Sequence, residues 1–257
     1  MINMGIIFST LIGSLLSGVD FFYLSLLSGI LFVLVAVLVW IGLPRIKIGV
    51  TGKSWMQDIH TIVKDTPFIT YTIILIGYYY LYMQLFLTIP RIVEEITGGR
   101  GGVALIYATI SITVIVFQLK VTSLLQPVSH RFSLIGFGSL FMGIGLLLLG
   151  FVTTTTGIIA AGILFSLGTM ITGPAVLDIV TVLAPKELIG SYYGFNAFSL
   201  AIGGALSTGL GGWLYDAGLR IQWPLLPWVS CFIVSLLVCW RMYRLDIRTG
   251  LYAQVNE

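Results

Sequence analysis

The chain has 257 residues, of which 58% are hydrophobic and only 9% are charged, and its mean hydropathy is +1.05. A soluble domain carries about a quarter charged residues, so this composition excludes a soluble globular protein and predicts a polytopic membrane protein with the lipid bilayer as its surroundings. The formal net charge of +3 is too small to indicate a nucleic-acid partner.

Eight apolar runs, most of them about 20 residues long, follow one another along the chain. Each such run predicts a transmembrane α-helix, because a helix of that length crosses a hydrocarbon core of about 30 Å and satisfies its own backbone hydrogen bonds. We therefore expect an all-α helical bundle. The predicted spans, labelled A to H in chain order, are 2–18, 22–43, 68–90, 103–120, 132–151, 157–183, 190–214 and 223–243.

Basic residues are divided unequally between the two sides of this arrangement. Ten lie in the connections on the side of the termini, and three lie on the other side. Cytoplasmic connections carry an excess of Lys and Arg, so we expect a protein of the cell membrane with both termini in the cytoplasm. The ten are Arg45, Lys47, Lys53, Lys64, Lys120, Arg131, Lys186, Arg241, Arg244 and Arg248; the three are Arg91, Arg100 and Arg220.

The longest connection, residues 44–67, joins spans B and C. Within it, Ile59 and Ile62 share an apolar helical face, while Asp58 and Lys64 are polar. This pattern predicts an amphipathic helix on the cytoplasmic membrane surface.

Span C is rich in tyrosine. Tyr78 and Tyr82 share one face of the helix, whereas Tyr80 and Gln84 share another. Aromatic rings with one polar tip can line a pocket for an apolar ligand, but they also form interfacial belts and ordinary packing. The candidate substrate-cavity residues are Tyr78, Tyr79, Tyr82 and Gln84.

Span F contains the carboxylate Asp178 inside an apolar run. Ionisable groups in lipid are costly, so Asp178 is a candidate for proton coupling; the alternative is a structural polar contact near the helix end. Gly173 and Pro174 lie one turn earlier, and a proline inside a helix predicts a kink or hinge.

A stripe of small residues in span A reappears in span G with an offset of 198. Small residues at steps of four let a neighbouring helix backbone approach closely, and the repetition suggests two homologous halves. The two stripes are Gly5, Ser9 and Gly13 in span A and Gly203, Ser207 and Gly211 in span G.

In these features the chain resembles a major facilitator superfamily transporter of the drug:proton antiporter branch. Span A resembles the fifth helix of that family and its Gly-xxx-Gly-Pro-xx-Gly-Gly motif, with Ser9-Thr10 in place of Gly-Pro and Ser14 in place of the last Gly. The segment 173–194 resembles the region of the tenth and eleventh helices, and Gln118 with the Gly-rich span E resembles the eighth and ninth.

The resemblance implies a partial major-facilitator fold that lacks the first four helices. Residues 1–43 would then be the last helix pair of an incomplete N-terminal bundle, 44–67 a cytoplasmic linker and 68–257 a C-terminal six-helix bundle.

The resemblance also implies transport of small molecules by alternating access, with proton-coupled efflux of hydrophobic compounds as the form typical of this branch. The alternative is a truncated, transport-incompetent fragment of such a transporter. Metal-ligand spacing, paired intramembrane carboxylates and a nucleophile–base set are all missing from the sequence, so we expect neither an enzyme nor a cofactor.

Overall fold

A computed structural model describes residues 21–42, 55–99, 101–128 and 130–250. These residues form α-helices joined by short turns, with two 3₁₀ turns at Gln84–Phe86 and Lys186–Leu188 and no strand in the described part. The all-α prediction is confirmed. The helices are α1 (Phe21–Gly42), α2 (Trp55–Lys64), α3 (Thr66–Met83), α4 (Thr88–Thr97), α5 (Gly101–Leu125), α6 (Arg131–Leu149), α7 (Thr155–Leu183), α8 (Ile189–Arg220) and α9 (Leu226–Thr249).

Within the described residues, 7 stretches are long and apolar enough to cross a membrane. They correspond to the predicted spans B to H and make the chain a multi-pass membrane protein. Predicted span A, with Gly5, Ser9 and Gly13, lies outside the described residues.

Span C differs from its prediction because it is interrupted rather than continuous. Helix α3 ends at Met83, a 3₁₀ turn follows, and α4 begins at Thr88. Pro90 has no N–H and would clash with the carbonyl of Phe86 in a continuous helix, which explains why the regular helix ends before it. The apolar composition of residues 84–90 conceals this break, since hydropathy does not register backbone geometry.

One end of the bundle joins helices that are far apart in sequence. Arg131 at the start of α6 lies 3.4 Å from the Asp178 carboxylate of α7. The Ser133 N–H of α6 donates to the Asp246 carboxylate near the end of α9 at 3.3 Å, and the Ser133 hydroxyl donates to the same oxygen. Most of the described basic residues of the connections lie at this end, which we call the basic end.

The short helix α2 is also attached at the basic end. Its Ile62 is buried in the core, and its Asp58 accepts a hydrogen bond from Ser191 of α8 at 3.5 Å. Asp65 follows α2, accepts from the Phe68 N–H and thereby caps α3. A helix therefore occupies the segment predicted to be amphipathic and packs partly against the bundle, while its place on the membrane surface stays a prediction.

The opposite end is fastened by a smaller polar cluster between α4 and α8. The Tyr215 hydroxyl donates to Glu95 at 2.9 Å, and the Arg91 guanidinium lies 4.1 Å from the centre of the Tyr215 ring. Arg91 also lies 3.9 Å from Asp216, an exposed pair that contributes little alone. We call this the outer end.

Glycines bring several helix pairs into close contact. A Cβ atom placed on Gly138 of α6 would lie 2.7 Å from the carbonyl oxygen of Gly168 in α7. A Cβ on Gly203 of α8 would lie 2.7 Å from the carbonyl oxygen of Ile76 in α3. Neither contact leaves room for a side chain, so these glycines set the distances between the paired helices.

The other two members of the span G stripe are buried on the same side of α8. Ser207 is fully buried, and Gly211 faces the amide of Gln84, whose Nε2 would lie 3.0 Å from an added Cβ. The stripe therefore follows the α3 side of α8 over about two turns.

Helix α1 contrasts with the rest of the bundle, because none of its described side chains is buried. Phe32 and Trp40 are 77% and 80% exposed. The division of the chain into a helix pair (1–43), a linker (44–67) and a six-helix bundle (68–257) stays a prediction.

Replacing Gly203 by Ala should destabilise the bundle, because the new methyl group would meet backbone atoms that cannot move independently. We expect a cost of about 1–3 kcal/mol in the free energy of unfolding, which exceeds the gain of up to about 1 kcal/mol from helix propensity. Thermal unfolding in detergent micelles measures this loss of stability. Gly209→Ala on the same helix is the matched control, since nothing lies within 4 Å of its Cβ position, and equal melting temperatures for the two variants would contradict the prediction.

Candidate substrate cavity

Helices α3, α5, α7 and α8 surround a cavity of about 360 Å³. This volume lies in the range of small-molecule sites, and its wall combines aromatic rings with a few polar side chains. Among the described residues, no charged side chain lines it. The lining residues that carry the argument below are Tyr78, Tyr79, Tyr82, Tyr107, Gln118 and Gly173.

The tyrosines of α3 form a contiguous aromatic surface. Tyr78 and Tyr82, one helical turn apart, stack with ring centres 6.2 Å apart, and Tyr79 approaches Tyr78 at 4.9 Å. The Thr172 hydroxyl of α7 lies 3.3 Å from the Tyr78 hydroxyl and donates to it. Three predicted cavity residues are therefore brought together on one wall.

Gln84, the fourth predicted cavity residue, does not line this cavity. Its side chain is buried at the break between α3 and α4, where its Oε1 accepts a hydrogen bond from the Thr88 hydroxyl. Its Nε2 has no hydrogen-bond partner among the described residues. Gln84 shares a helical face with Tyr80 rather than with Tyr78, which explains its separation from the cavity.

Helix α5 supplies cavity residues that the sequence analysis did not name as cavity candidates. Tyr107, Ser111 and Gln118 lie on one face of α5 and line the cavity. The Tyr107 hydroxyl donates to the carbonyl oxygen of Leu85 at 2.9 Å and connects α5 to the 3₁₀ turn that follows α3. The spacing of Tyr107, Ser111 and Gln118 by four and seven residues inside an apolar span places polar groups on one helical face, and this pattern could have identified them from the sequence.

Gly173 and Pro174 lie where α7 passes the cavity. Gly173 lines it and has open space at its Cβ position. Helix α7 continues through Pro174, which leaves the carbonyl of Met170 without its usual N–H donor, because proline has none. The Gln118 side chain of α5 takes that place and donates its Nε2–H to the Met170 oxygen at 3.3 Å.

Asp178 lies outside the aromatic cavity. Its carboxylate is 3.4 Å from the Arg131 guanidinium, and its side chain is 43% exposed. Both residues line a separate pocket of about 320 Å³ at the basic end, together with Pro174 and Thr122. The candidate proton-coupling residue and the candidate substrate residues therefore occupy two different cavities on either side of Pro174.

Comparison with known proteins adds a family and several relatives. A model of the Major Facilitator Superfamily matches residues 1–208. The multidrug resistance protein MdtH of Edwardsiella ictaluri is 36% identical over 247 residues, which are 93% of this chain and 60% of that protein. MdtH of Photorhabdus laumondii is 34% identical over 253 residues, with coverage of 93% and 60%.

A third relative, MdtH of Yersinia enterocolitica, is 33% identical over 261 aligned positions, with coverage of 98% of this chain and 61% of that protein. The chain thus spans about three fifths of the length of these curated relatives.

The link between Gln118 and the proline-freed carbonyl can be tested with a double-mutant cycle. Gln118→Leu should lower the free energy of unfolding by about 1–2 kcal/mol, because it leaves the Met170 carbonyl unpaired. In a Pro174→Ala background the new backbone N–H at position 174 donates a hydrogen bond to the Met170 carbonyl. Gln118→Leu should then lower the free energy of unfolding by clearly less. Thermal unfolding of the two single variants and the double variant in micelles gives the coupling, and strictly additive changes would show that the cost of Gln118→Leu does not arise from the carbonyl that Pro174 leaves unpaired.

Proposed function

The chain belongs to the major facilitator superfamily, and from this we propose that it takes part in the transport of small hydrophobic molecules across the cell membrane by alternating access, in the direction of efflux. The observation that carries the proposal is the aromatic cavity between α3, α5, α7 and α8. The relatives named as multidrug resistance proteins support the same class of substrate.

The chemistry of the cavity favours apolar ligands over charged ones. Tyr78, Tyr79 and Tyr82 offer large apolar faces whose burial against a ligand is favourable, while their hydroxyls and Gln118 supply a few polar contacts. A wall without formal charge in its described part offers no ion pair to a charged ligand. This favours recognition by shape and hydrophobic area, as multidrug binding requires.

Helix α7 is the element best suited to change shape during transport. Gly173 leaves space at the cavity wall, and Pro174 removes one backbone hydrogen bond at the same level. A helix bends most readily where its hydrogen-bond ladder is interrupted. We assign Gly173 and Pro174 the role of a hinge, with Gln118 holding the freed carbonyl in one of the two conformations.

The orientation follows from the distribution of charge. Lys and Arg of the connections are concentrated at the basic end, which supports a cytoplasmic location of this end and of both termini. Alternating access then opens the cavity first to the basic end and afterwards to the outer end. In this proposal the protein is a transporter rather than an enzyme, and its partners are the substrate, the lipid bilayer and protons if transport is coupled to them.

Efflux by this chain can be measured in bacterial cells deficient in their own efflux pumps, with the hydrophobic dye Nile red as the probe. Cells that produce the chain should accumulate less dye than cells with an empty vector. Tyr82→Ala removes one face of the aromatic wall and should raise the half-saturating dye concentration about fivefold, corresponding to about 1 kcal/mol of lost contact.

Tyr243→Ala is the control, because Tyr243 is an exposed residue of α9 outside the cavity. It should leave accumulation unchanged. If the unaltered chain reaches the membrane, folds and still fails to lower accumulation, the alternative of a transport-incompetent chain takes the place of the proposal.

The proton-coupling role of Asp178 stays a prediction, and its contact with Arg131 supports the competing interpretation of a structural ion pair. For a structural pair, Asp178→Asn and Arg131→Gln should both lower dye efflux and leave its pH dependence unchanged, because either change breaks the same ion pair. The loss should be larger for Arg131→Gln, since the Arg131 guanidinium also donates to the carbonyl oxygens of Leu125 and Gln126. Efflux measured at several external pH values tests this. Loss of pH dependence in Asp178→Asn alone would instead assign the proton to Asp178.

A further inference from the structure

A groove on the outside of the bundle, between α3 and α9, is separate from both cavities described above. It has a volume of about 440 Å³ and an apolar floor that includes Ile73, Ile74 and Val238. At Gly77 the two helices are in close contact, since a Cβ there would lie 2.6 Å from the Val238 side chain. From that point the groove opens toward the basic end.

Three arginines of α9 line the groove at its basic end. Arg241, Arg244 and Arg248 follow one another at steps of three and four residues, so they lie on one face of the helix over about 10 Å. All three are exposed. The groove therefore has an apolar section inside the membrane and a cationic section at its boundary.

These arginines have no acidic partner among the described residues. Asp246 lies between them in sequence, but its carboxylate turns to the opposite side, toward Ser133 and His130 of α6. Trp240 lies beside the guanidinium groups of Arg241 and Arg244, at 5.3 and 5.0 Å. An aromatic ring next to unpaired arginines is typical of a helix section at the level of the lipid headgroups.

We propose that this groove binds one anionic phospholipid, with an acyl chain along the apolar floor between α3 and α9 and the phosphate group at Arg241, Arg244 and Arg248. The planar guanidinium group matches phosphate geometry with two parallel hydrogen bonds. Basic pockets between transmembrane helices at the cytoplasmic side suit anionic headgroups in this way. The inference rests on the membrane location of α9 and is independent of transport; the orientation decides only which leaflet supplies the lipid.

The charges alone do not make a site, because exposed arginines near a membrane attract any anionic surface. A bound lipid needs the apolar groove as well as the cations. The two contributions can be separated, since Ile73 is 61% exposed in the groove wall and can be enlarged without altering any arginine. Ile73→Trp fills the groove, and the triple variant R241Q/R244Q/R248Q removes the charge.

Native mass spectrometry of the full chain, purified in detergent and incubated with dioleoyl phosphatidylglycerol or dioleoyl phosphatidylcholine, tests the proposal. The unaltered chain should retain one phosphatidylglycerol in preference to phosphatidylcholine. Each Arg→Gln change should weaken retention about fivefold, and both the triple variant and Ile73→Trp should lose the preference. Arg220→Gln at the outer end is the control and should behave as the unaltered chain.

Three results would overturn the lipid site. If Ile73→Trp still prefers phosphatidylglycerol to phosphatidylcholine, the arginines form only a non-specific cationic surface. Displacement of the lipid by inorganic phosphate alone would assign a free-anion site. Cross-links from the groove to a second copy or to residues 1–20 of the same chain would assign it to a protein segment. Melting temperatures of the lipid-free variants show whether each one is folded, and Thr70→Phe, which fills the same groove from α3, replaces Ile73→Trp if that variant is not.

Discussion

Helices in a bilayer gain little by moving apolar side chains from lipid to protein, so their association depends on how closely their surfaces fit. In this bundle the fit is made by glycine. Gly138 and Gly168 place α6 against α7, and Gly203 places α8 against α3. Because these contacts involve backbone atoms, they leave little freedom in the distance between the helices. The aromatic face of α3 consequently meets α5 and α7 across a space that its tyrosines line but do not fill.

Helix α7 connects the polar elements around that space. It receives one hydrogen bond from α5, through Gln118 and the carbonyl of Met170, and gives another to α3, through Thr172 and Tyr78. Toward the basic end it carries Asp178, which pairs with Arg131 of α6. A bend of α7 at Pro174 would alter all of these contacts together. The cavity and the contacts at the basic end are therefore mechanically connected through one helix, although they lie in separate pockets.

Sequence patterns predicted the helical class and the seven described spans, because apolar length is a direct consequence of bilayer thickness. They failed at the break in span C, since the run of residues 84–90 stays mostly apolar although the regular helix is interrupted ahead of Pro90. The sequence also placed the cavity residues Tyr78 and Tyr82 on one helical face, and a proline at position 174 leaves a carbonyl in the same helix without its donor. Neither pattern could identify partners from other spans, such as Gln118 for that carbonyl or Arg131 for Asp178, because those contacts depend on how the helices are arranged in space.

The carboxylate of Asp246 has a consequence for how the protein is made. It caps the start of α6 by accepting from the Ser133 N–H, although it follows Ser133 by 113 residues. The N-cap residue of α6, His130, makes no side-chain cap of its own. During synthesis α6 is inserted before α9 exists, so the unpaired N–H groups at the start of α6 must first donate to water at the membrane surface. The arrival of α9, the last described helix, replaces that water and completes the basic end of the bundle.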